Sequence, residues 1–88
     1  MLRITRLDAA TKATVLRLEG RLTASELGEL EAVLGECRRQ KRRVVLDLAG
    51  LVFLDDTAAS ALRSAGRQHC ELVGASPFVQ QLLREEPS

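Results

Sequence analysis

The sequence predicts an α/β fold in which a mixed β-sheet of about four strands is flanked by helices, in the element order ββαβαβα. Two early segments alternate apolar and polar residues, which is typical of half-buried strands. The second half alternates strand-like and helix-like segments, which implies parallel strands joined by right-handed crossovers. The chain has 88 residues and no linker-like stretch, so we expect a single domain over residues 1–88.

The first two elements are expected to form an antiparallel hairpin. Leu2–Leu7 alternates apolar and polar residues, and the polar segment Asp8–Lys12 is suited to a turn. Alternation resumes over Thr14–Glu19, and Gly20 is expected to end the second strand.

The next segment predicts an amphipathic helix. Thr23 and Glu26 have the spacing of a capping box, in which each residue satisfies a backbone amide of the other. Apolar residues then recur on one helical face. These residues are Leu27, Leu30, Val33, Leu34 and Cys37.

The segment Arg43–Leu48 predicts a central strand covered on both faces, because its residues are almost continuously apolar and often β-branched. Gly50 is expected to turn the chain, leaving residues 51–54 as a short apolar connection. This reading places Asp47 at the carboxyl end of the strand, close to the start of the following helix.

The remaining segments complete the α/β pattern. Asp55, Asp56 and Thr57 are three consecutive capping residues before a helix that is expected to stop at Gly66. Cys70–Val73 predicts a short strand. Ser76 and Pro77 then predict the start of a last helix. Its apolar stripe consists of Phe78, Val79, Leu82 and Leu83.

Composition argues against several classes of function. The formal net charge is +1, and the chain has two Phe but no Tyr or Trp, so it lacks the basic stripe and the stacking residues of nucleic-acid binders. No apolar run approaches the roughly 20 residues needed to cross a bilayer. The N-terminus lacks the apolar core of a signal peptide, and the two cysteines have no disulfide-like spacing. We therefore expect a cytoplasmic protein that neither inserts into membranes nor binds nucleic acid.

Catalytic and metal-binding patterns are weak. His69 and Cys70 are adjacent, and neighbouring strand residues point to opposite faces, so we expect a buried cysteine beside a loop histidine. One His and two distant Cys have no metal-ligand spacing, and no glycine-rich phosphate loop occurs. We expect no catalytic residues, no metal and no cofactor.

A basic run, residues 38–43, has five cations in six positions. It can be read as a patch for anionic partners or as a solvated turn that ends a helix favourably. The nearly balanced total charge favours the solvated turn.

Thr57 has two readings. A hydroxyl in the first turn of a helix is a good phosphorylation site, because the helix dipole stabilises a phosphate there. Alternatively, Thr57 or Asp56 serves only as the helix cap. Spacing alone does not separate these readings.

Three segments together resemble the STAS domain family, whose name combines sulphate transporters and anti-sigma-factor antagonists. Residues 15–22 resemble its second strand, and residues 72–83 resemble its closing strand and helix. The most specific stretch, Val44–Asp55, resembles the family pattern VVLDLSGVTFID. The resemblance spans residues 2–83 and implies a mixed sheet flanked by helices.

The resemblance also implies a non-enzymatic protein-interaction module. In the antagonist branch, an anti-sigma factor that is also a serine kinase binds this module and phosphorylates a hydroxyl in the loop before the second helix. Matched residue by residue, Thr57 occupies the phosphorylatable position, Asp56 a serine position and Ala58 a glycine position. The implied partner surface comprises Arg21, Thr23, Asp55, Asp56, Thr57, Ala58 and Ser60. The alternative is a cytoplasmic accessory subunit that binds the ATPase of a lipid-transporting ABC system.

Overall fold

Four strands form one sheet, and three helices accompany it. The computed structural model describes residues 1–9, 12–68 and 70–84. The strands are β1 (Leu2–Asp8), β2 (Ala13–Leu22), β3 (Arg43–Leu54) and β4 (Cys70–Val73). The helices are α1 (Leu27–Arg39), α2 (Asp56–Gln68) and α3 (Pro77–Arg84), with a 3₁₀ turn over Ala24–Glu26 before α1.

The sheet is mixed, and its spatial order follows the chain, β1-β2-β3-β4. β1 is antiparallel to β2, with Leu2 opposite Gly20 and Asp8 opposite Thr14. β2 and β3 are parallel, as are β3 and β4. The predicted fold class and element order are confirmed.

The core lies between one face of the sheet and the helices. It contains Leu16 and Leu46 from neighbouring strands, together with Leu30 of α1, Leu62 of α2 and Val79 of α3. Burial alternates along β3, where Val44, Leu46 and Leu48 are buried while the residues between them are not. The prediction that this strand is covered on both faces was wrong, because all its buried side chains before the first bulge point to the helices.

β3 continues through Gly50 to Leu54, so the predicted turn at Gly50 was wrong. The register with β2 shifts twice, between Arg17 and Glu19 and again between Gly20 and Arg21. Each shift leaves one extra residue in β3, which is the geometry of a β-bulge. A Cβ on Gly50 would lie 2.7 Å from Cγ of Glu19, so the first bulge requires a residue without a side chain.

Two other glycines also fail to end their elements. β2 runs past Gly20, which has φ +97° and packs against the Met1 carbonyl. α2 runs past Gly66, where a Cβ would lie 3.2 Å from Cδ1 of Leu72 in β4. A positive φ together with close packing accounts for Gly20, and close packing accounts for Gly66; neither glycine ends its element.

The predicted helix caps are present. The Thr23 amide donates to Oε1 of Glu26 at 3.1 Å, as the capping-box spacing indicates. The Val79 amide donates to Oγ of Ser76 at 3.2 Å, so Ser76 caps α3. The predicted stripe of α1 packs into the core, whereas Phe78 of α3 is 54% exposed.

Every residue of the basic run is exposed except Arg42, which is half-buried. Its Nε donates to Oγ1 of Thr14 at 2.6 Å, and its Nη2 donates to the carbonyls of Ala9 and Ala13. Thr14 is fully buried and donates in turn to Oδ1 of Asp8 at 3.0 Å. The prediction of a wholly solvated turn was therefore wrong for Arg42, which closes the end of the sheet where β2 and β3 begin.

Candidate functional site

The candidate site lies where β2 and β3 end and α2 begins. Asp55 is the last residue before α2, and its Oδ1 accepts the Ala58 amide at 2.8 Å. This is the bond of an N-cap residue to the third residue of the helix. Asp55, rather than Asp56 or Thr57, is therefore the cap.

Asp55 also joins the two loops that form the site. Its Oδ2 accepts the Ala24 amide at 2.8 Å, so one carboxylate bridges the start of α2 and the 3₁₀ turn before α1. The Asp55 amide donates to the Leu22 carbonyl at 3.3 Å. Bonds from the Ala58 and Ala24 amides hold the pKa of the Asp55 carboxyl below its usual range, because they stabilise its charged form. The two loops thus form one hydrogen-bonded platform.

Thr57 lies in the first turn of α2 and is exposed. Within the described parts of the chain, its hydroxyl has no hydrogen-bond partner, because Asp55 already caps the helix. Asp56 and Ser60 are exposed beside it on the same helix. The hydroxyl is accessible at the positive end of the helix dipole.

The other predicted partner-facing residues occupy different environments. Arg21 is exposed, and its guanidinium carbon lies 4.7 Å from the centre of the Phe53 ring. Thr23 is half-buried and donates from Oγ1 to Glu26 at 2.9 Å. Ala58 is fully buried, so its inclusion in the partner surface was wrong: its methyl group belongs to the core.

Asp47 does not join this site. It lies in the middle of β3, opposite Arg17, whose Nε is 3.6 Å from its Oδ2. Eight residues separate it from Asp55, which is roughly 25 Å of extended strand. The expected position near the start of α2 was wrong because β3 does not end at Leu48.

A groove of about 270 Å³ between α1 and α2 extends the site along the helix layer. Leu27 and Leu34 of α1 line one side, and Ala61 and Ser64 of α2 line the other. Helical spacing puts Thr57, Ala61 and Ser64 on one face of α2, so the groove continues the surface that begins at Thr57.

Of the two adjacent residues considered for catalysis, the structure describes only Cys70. Cys70 is buried, and burial raises the pKa of its thiol, which disfavours the reactive thiolate. His69 lies outside the described residues. Within residues 1–9, 12–68 and 70–84, no three His, Cys, Asp or Glu side chains are grouped as a metal site requires. None of the helices in these ranges has the length and apolar character needed to cross a bilayer.

Sequence reasoning missed two contributors to the site. The first is the backbone amide of Ala24, which no residue type in the sequence could mark as a donor. It reaches Asp55 because β2 and β3 are parallel and end side by side. The second is Phe53, which the sequence analysis placed in a connection after the strand. Because β3 continues, Phe53 pairs with Arg21 and its ring lies beneath the Arg21 guanidinium.

The chain resembles known proteins in sequence pattern and in fold. A family model described as "Mlab, STAS domain" matches residues 5–85. The anti-sigma factor antagonist SpoIIAA in its unphosphorylated form superimposes with a TM-score of 0.73, with 16% identity, 97% of this chain covered and 84% of that one. An uncharacterized DUF3478-family protein from Shewanella loihica PV-4, described as having a SpoIIAA-like fold, gives a TM-score of 0.61, with 15% identity and coverages of 88% and 69%. No match was found among the curated proteins.

Identities this low show a shared fold and leave function open. The family model is the more specific finding because it spans nearly all of the chain, including the loop from Asp55 to Ala58. The order of elements, the mixed sheet and this loop agree with it. The chain therefore belongs to the STAS domain family.

Proposed function

We propose that the protein is a non-enzymatic interaction module of the anti-sigma-factor-antagonist type, which binds an anti-sigma or serine-kinase-like protein through the start of α2. The observation that carries this proposal is the exposed Thr57 hydroxyl, which is left without a structural task because Asp55 caps the helix. The two bonds of Asp55 hold the surrounding loops rigid, so a partner meets a preformed surface.

Phosphorylation of Thr57 would switch this surface through charge. A phosphate adds about −1.5 to −2 charges at pH 7. The helix dipole favours that charge, whereas the neighbouring Asp56 carboxylate opposes it. The added charge would reach a partner directly, so no movement within the domain is needed.

Two substitutions test the switch. We expect Thr57→Glu to weaken binding of the cognate kinase-like partner at least tenfold, and Thr57→Ala to bind as the wild type does. Gln81→Glu is a matched control, because it adds the same charge on the exposed surface of α3. Isothermal titration calorimetry measures all three. Equal affinities for Thr57→Glu and Thr57→Ala would contradict the switch.

Mass spectrometry after incubation with that partner provides an independent check. Phosphate on Thr57 alone is the expected result. Phosphate found only at other residues would leave Thr57 without a regulatory role.

A second candidate is a cytoplasmic accessory subunit that binds the ATPase of an ABC-type lipid transporter. Asp56 favours this candidate, because a fixed carboxylate beside Thr57 opposes formation of a phosphate dianion. In that case the unmodified surface would bind the ATPase permanently. Neighbouring genes discriminate between the candidates: a kinase or sigma factor supports the first, and transporter genes support the second.

A further inference from the structure

Among residues 1–9, 12–68 and 70–84, no helix or strand covers the face of the sheet that points away from the helices. Registered pairs place Thr5, Arg17, Asp47 and Val73 in one row across the four strands, and Val15 beside Val45 in the next row. We call these six positions the open face. None of them is buried, whereas their neighbours along the strands, such as Leu16 and Leu46, are fully buried on the helix side.

An uncovered face is unusual for this kind of sheet. Strands β2, β3 and β4 are parallel, and parallel sheets generally carry a layer on each face. Val15, Val45 and Val73 give the open face an apolar centre, and Leu7 beside them is 45% exposed. A layer on this face would come from outside the described residues.

The charges on this face are complementary to those on the same face of a second copy that is rotated by 180°. The half formed by β1 and β2 carries Arg3, Arg17 and Arg21. The half formed by β3 and β4 carries Asp47 and Glu71, together with Arg43 at the start of β3. Glu19 on β2 is an exception, and it lies across Gly50 at the first bulge. With Arg43 and Glu19 included, the charges named here still sum to a positive value on the half formed by β1 and β2 and to a negative value on the other half.

Consider two copies whose open faces meet, related by a two-fold axis that lies between the two sheets, runs parallel to the strands and passes midway between β2 and β3. This axis sets the half formed by β1 and β2 of one copy over the half formed by β3 and β4 of the other. Rotation about that axis keeps the position along the strands and exchanges β2 with β3. Since Arg17 pairs with Asp47 and Val15 with Val45 across these two strands, the rotation sets Arg17 over Asp47 of a second copy and Val15 over its Val45. An isologous interface requires this kind of self-complementary pattern.

We propose that the open face is the interface of a weak homodimer in which two copies pack sheet to sheet about this axis. Three strands with about seven residues each in contact and the four residues of β4, at a strand spacing of about 4.8 Å, give a footprint of roughly 400 Å² per copy. This is well below the roughly 800 Å² per partner of a standard stable interface. We therefore expect a weak, reversible dimer. Thr57 lies at the start of α2 in the helix layer, so dimerisation leaves it accessible.

The test exploits the exchange of Arg17 and Asp47 between copies. In sedimentation equilibrium from 10 μM to 1 mM protein, we expect the wild type to pass from monomer to dimer. Arg17→Asp alone and Asp47→Arg alone place like charges opposite each other in both halves of the interface, and each should weaken dimerisation at least tenfold. Glu29→Lys, on the exposed surface of α1, is the control and should dimerise as the wild type does.

A mixture of the two single variants is decisive. In the mixed dimer, the aspartate introduced by Arg17→Asp in one copy faces the arginine introduced by Asp47→Arg in the other. The unchanged Asp47 of the first copy likewise faces the unchanged Arg17 of the second, so association should return in the mixture. Loss of the pair within each chain cannot produce this rescue, because that pair remains broken in both variants.

Circular dichroism verifies that each variant is folded. Three results would each overturn the proposal: a wild type that stays monomeric to 1 mM, single variants that dimerise normally, or a mixture without rescue.

Discussion

Asp55 is the residue on which the site depends most. Three consecutive residues, Asp55, Asp56 and Thr57, have side chains that can cap a helix, and the sequence offers no reason to choose among them. The choice is made by tertiary structure: β3 ends at Leu54, so Asp55 is the first residue free to leave the strand and the last before α2. Its position also brings a second amide, that of Ala24, within reach.

Asp55→Ala should destabilise the fold by about 1–2 kcal/mol, because it removes an N-cap and leaves the Ala58 and Ala24 amides without their acceptor. Urea unfolding at pH 7 measures the change. Asp56→Ala is the matched control; it removes an exposed carboxylate in the same turn and should cost no more than about 0.5–1 kcal/mol. Equal losses for the two variants would mean that Asp55 is not the cap.

The pH dependence of stability provides a second readout of the same prediction. The pKa of Asp55 is lower in the folded protein than in the unfolded chain, so its contribution to stability is present above the unfolded pKa of about 4. That contribution is lost as the pH falls through the lower, folded pKa. The loss caused by Asp55→Ala should therefore shrink when unfolding is measured at pH 3 instead of pH 7. A loss that is the same at both pH values would contradict this.

At the scale of elements, periodicity predicted which segments form strands and helices, but glycines misled the prediction of where they end. Gly20, Gly50 and Gly66 were each expected to stop an element, and each lies inside one. Their neighbours explain this: the Met1 carbonyl, the Glu19 side chain and Leu72 occupy the space that a Cβ would need. A sequence shows that a residue lacks a side chain, but it does not show whether the reason is a turn or a close approach.

This distinction can be measured by comparing Gly35→Ala with Gly66→Ala. Gly35 lies inside α1, where the nearest neighbour of an added Cβ is Nη1 of Arg39 at 3.7 Å, so alanine should stabilise the protein by about 0.5–1 kcal/mol. Gly66 is also helical, but its Cβ would lie 3.2 and 3.3 Å from two carbon atoms of Leu72.

The gain in helix propensity at Gly66 should thus be offset by crowding, and the stability of Gly66→Ala should equal or fall below that of the wild type. Thermal unfolding of both variants under one set of conditions decides the matter. An equal increase in melting temperature for both would show that Gly66 is not constrained by β4.

In the whole molecule, a stabilising hydrogen-bonded cluster and the proposed partner-binding surface lie at opposite ends of the sheet. Where β2 and β3 begin, Arg42, Thr14 and Asp8 form a hydrogen-bonded cluster that joins two turns. Where the same strands end, Asp55 organises the loops around Thr57. Sites in open α/β sheets generally lie at the carboxyl ends of the strands, and the sequence pattern was sufficient to place Thr57 there.

The opposite end was harder to predict from sequence. Arg42 is one of five cations in a six-residue run, and nothing in that run marks it as different from Arg43. Its role arises from Thr14, a buried hydroxyl 28 positions earlier in the chain that becomes a neighbour only when β2 and β3 pair. Contacts of this kind follow from strand register, which local periodicity does not specify.

Arg42→Ala tests the structural role of the end where β2 and β3 begin. The substitution removes bonds to Thr14 Oγ1 and to the carbonyls of Ala9 and Ala13, so we expect a loss of about 1–3 kcal/mol in urea unfolding. Arg43→Ala removes an exposed cation from the next position and should change stability by less than about 0.5 kcal/mol. Arg42→Lys should recover only part of the loss, because one ammonium group cannot reach three acceptors as the guanidinium fork does.

The same variant tests whether the two ends are independent. Arg42 and Thr57 lie at opposite ends of the strands, and the hydrogen bonds that organise the loops around Thr57 come from Asp55 rather than from the cluster around Arg42. At a temperature where all variants are folded, Arg42→Ala should therefore leave hydrogen exchange of the Ala24 and Ala58 amides, which donate to Asp55, unchanged. Faster exchange at those amides would show that the two ends are coupled, and that a binding surface at Thr57 depends on the cluster around Arg42.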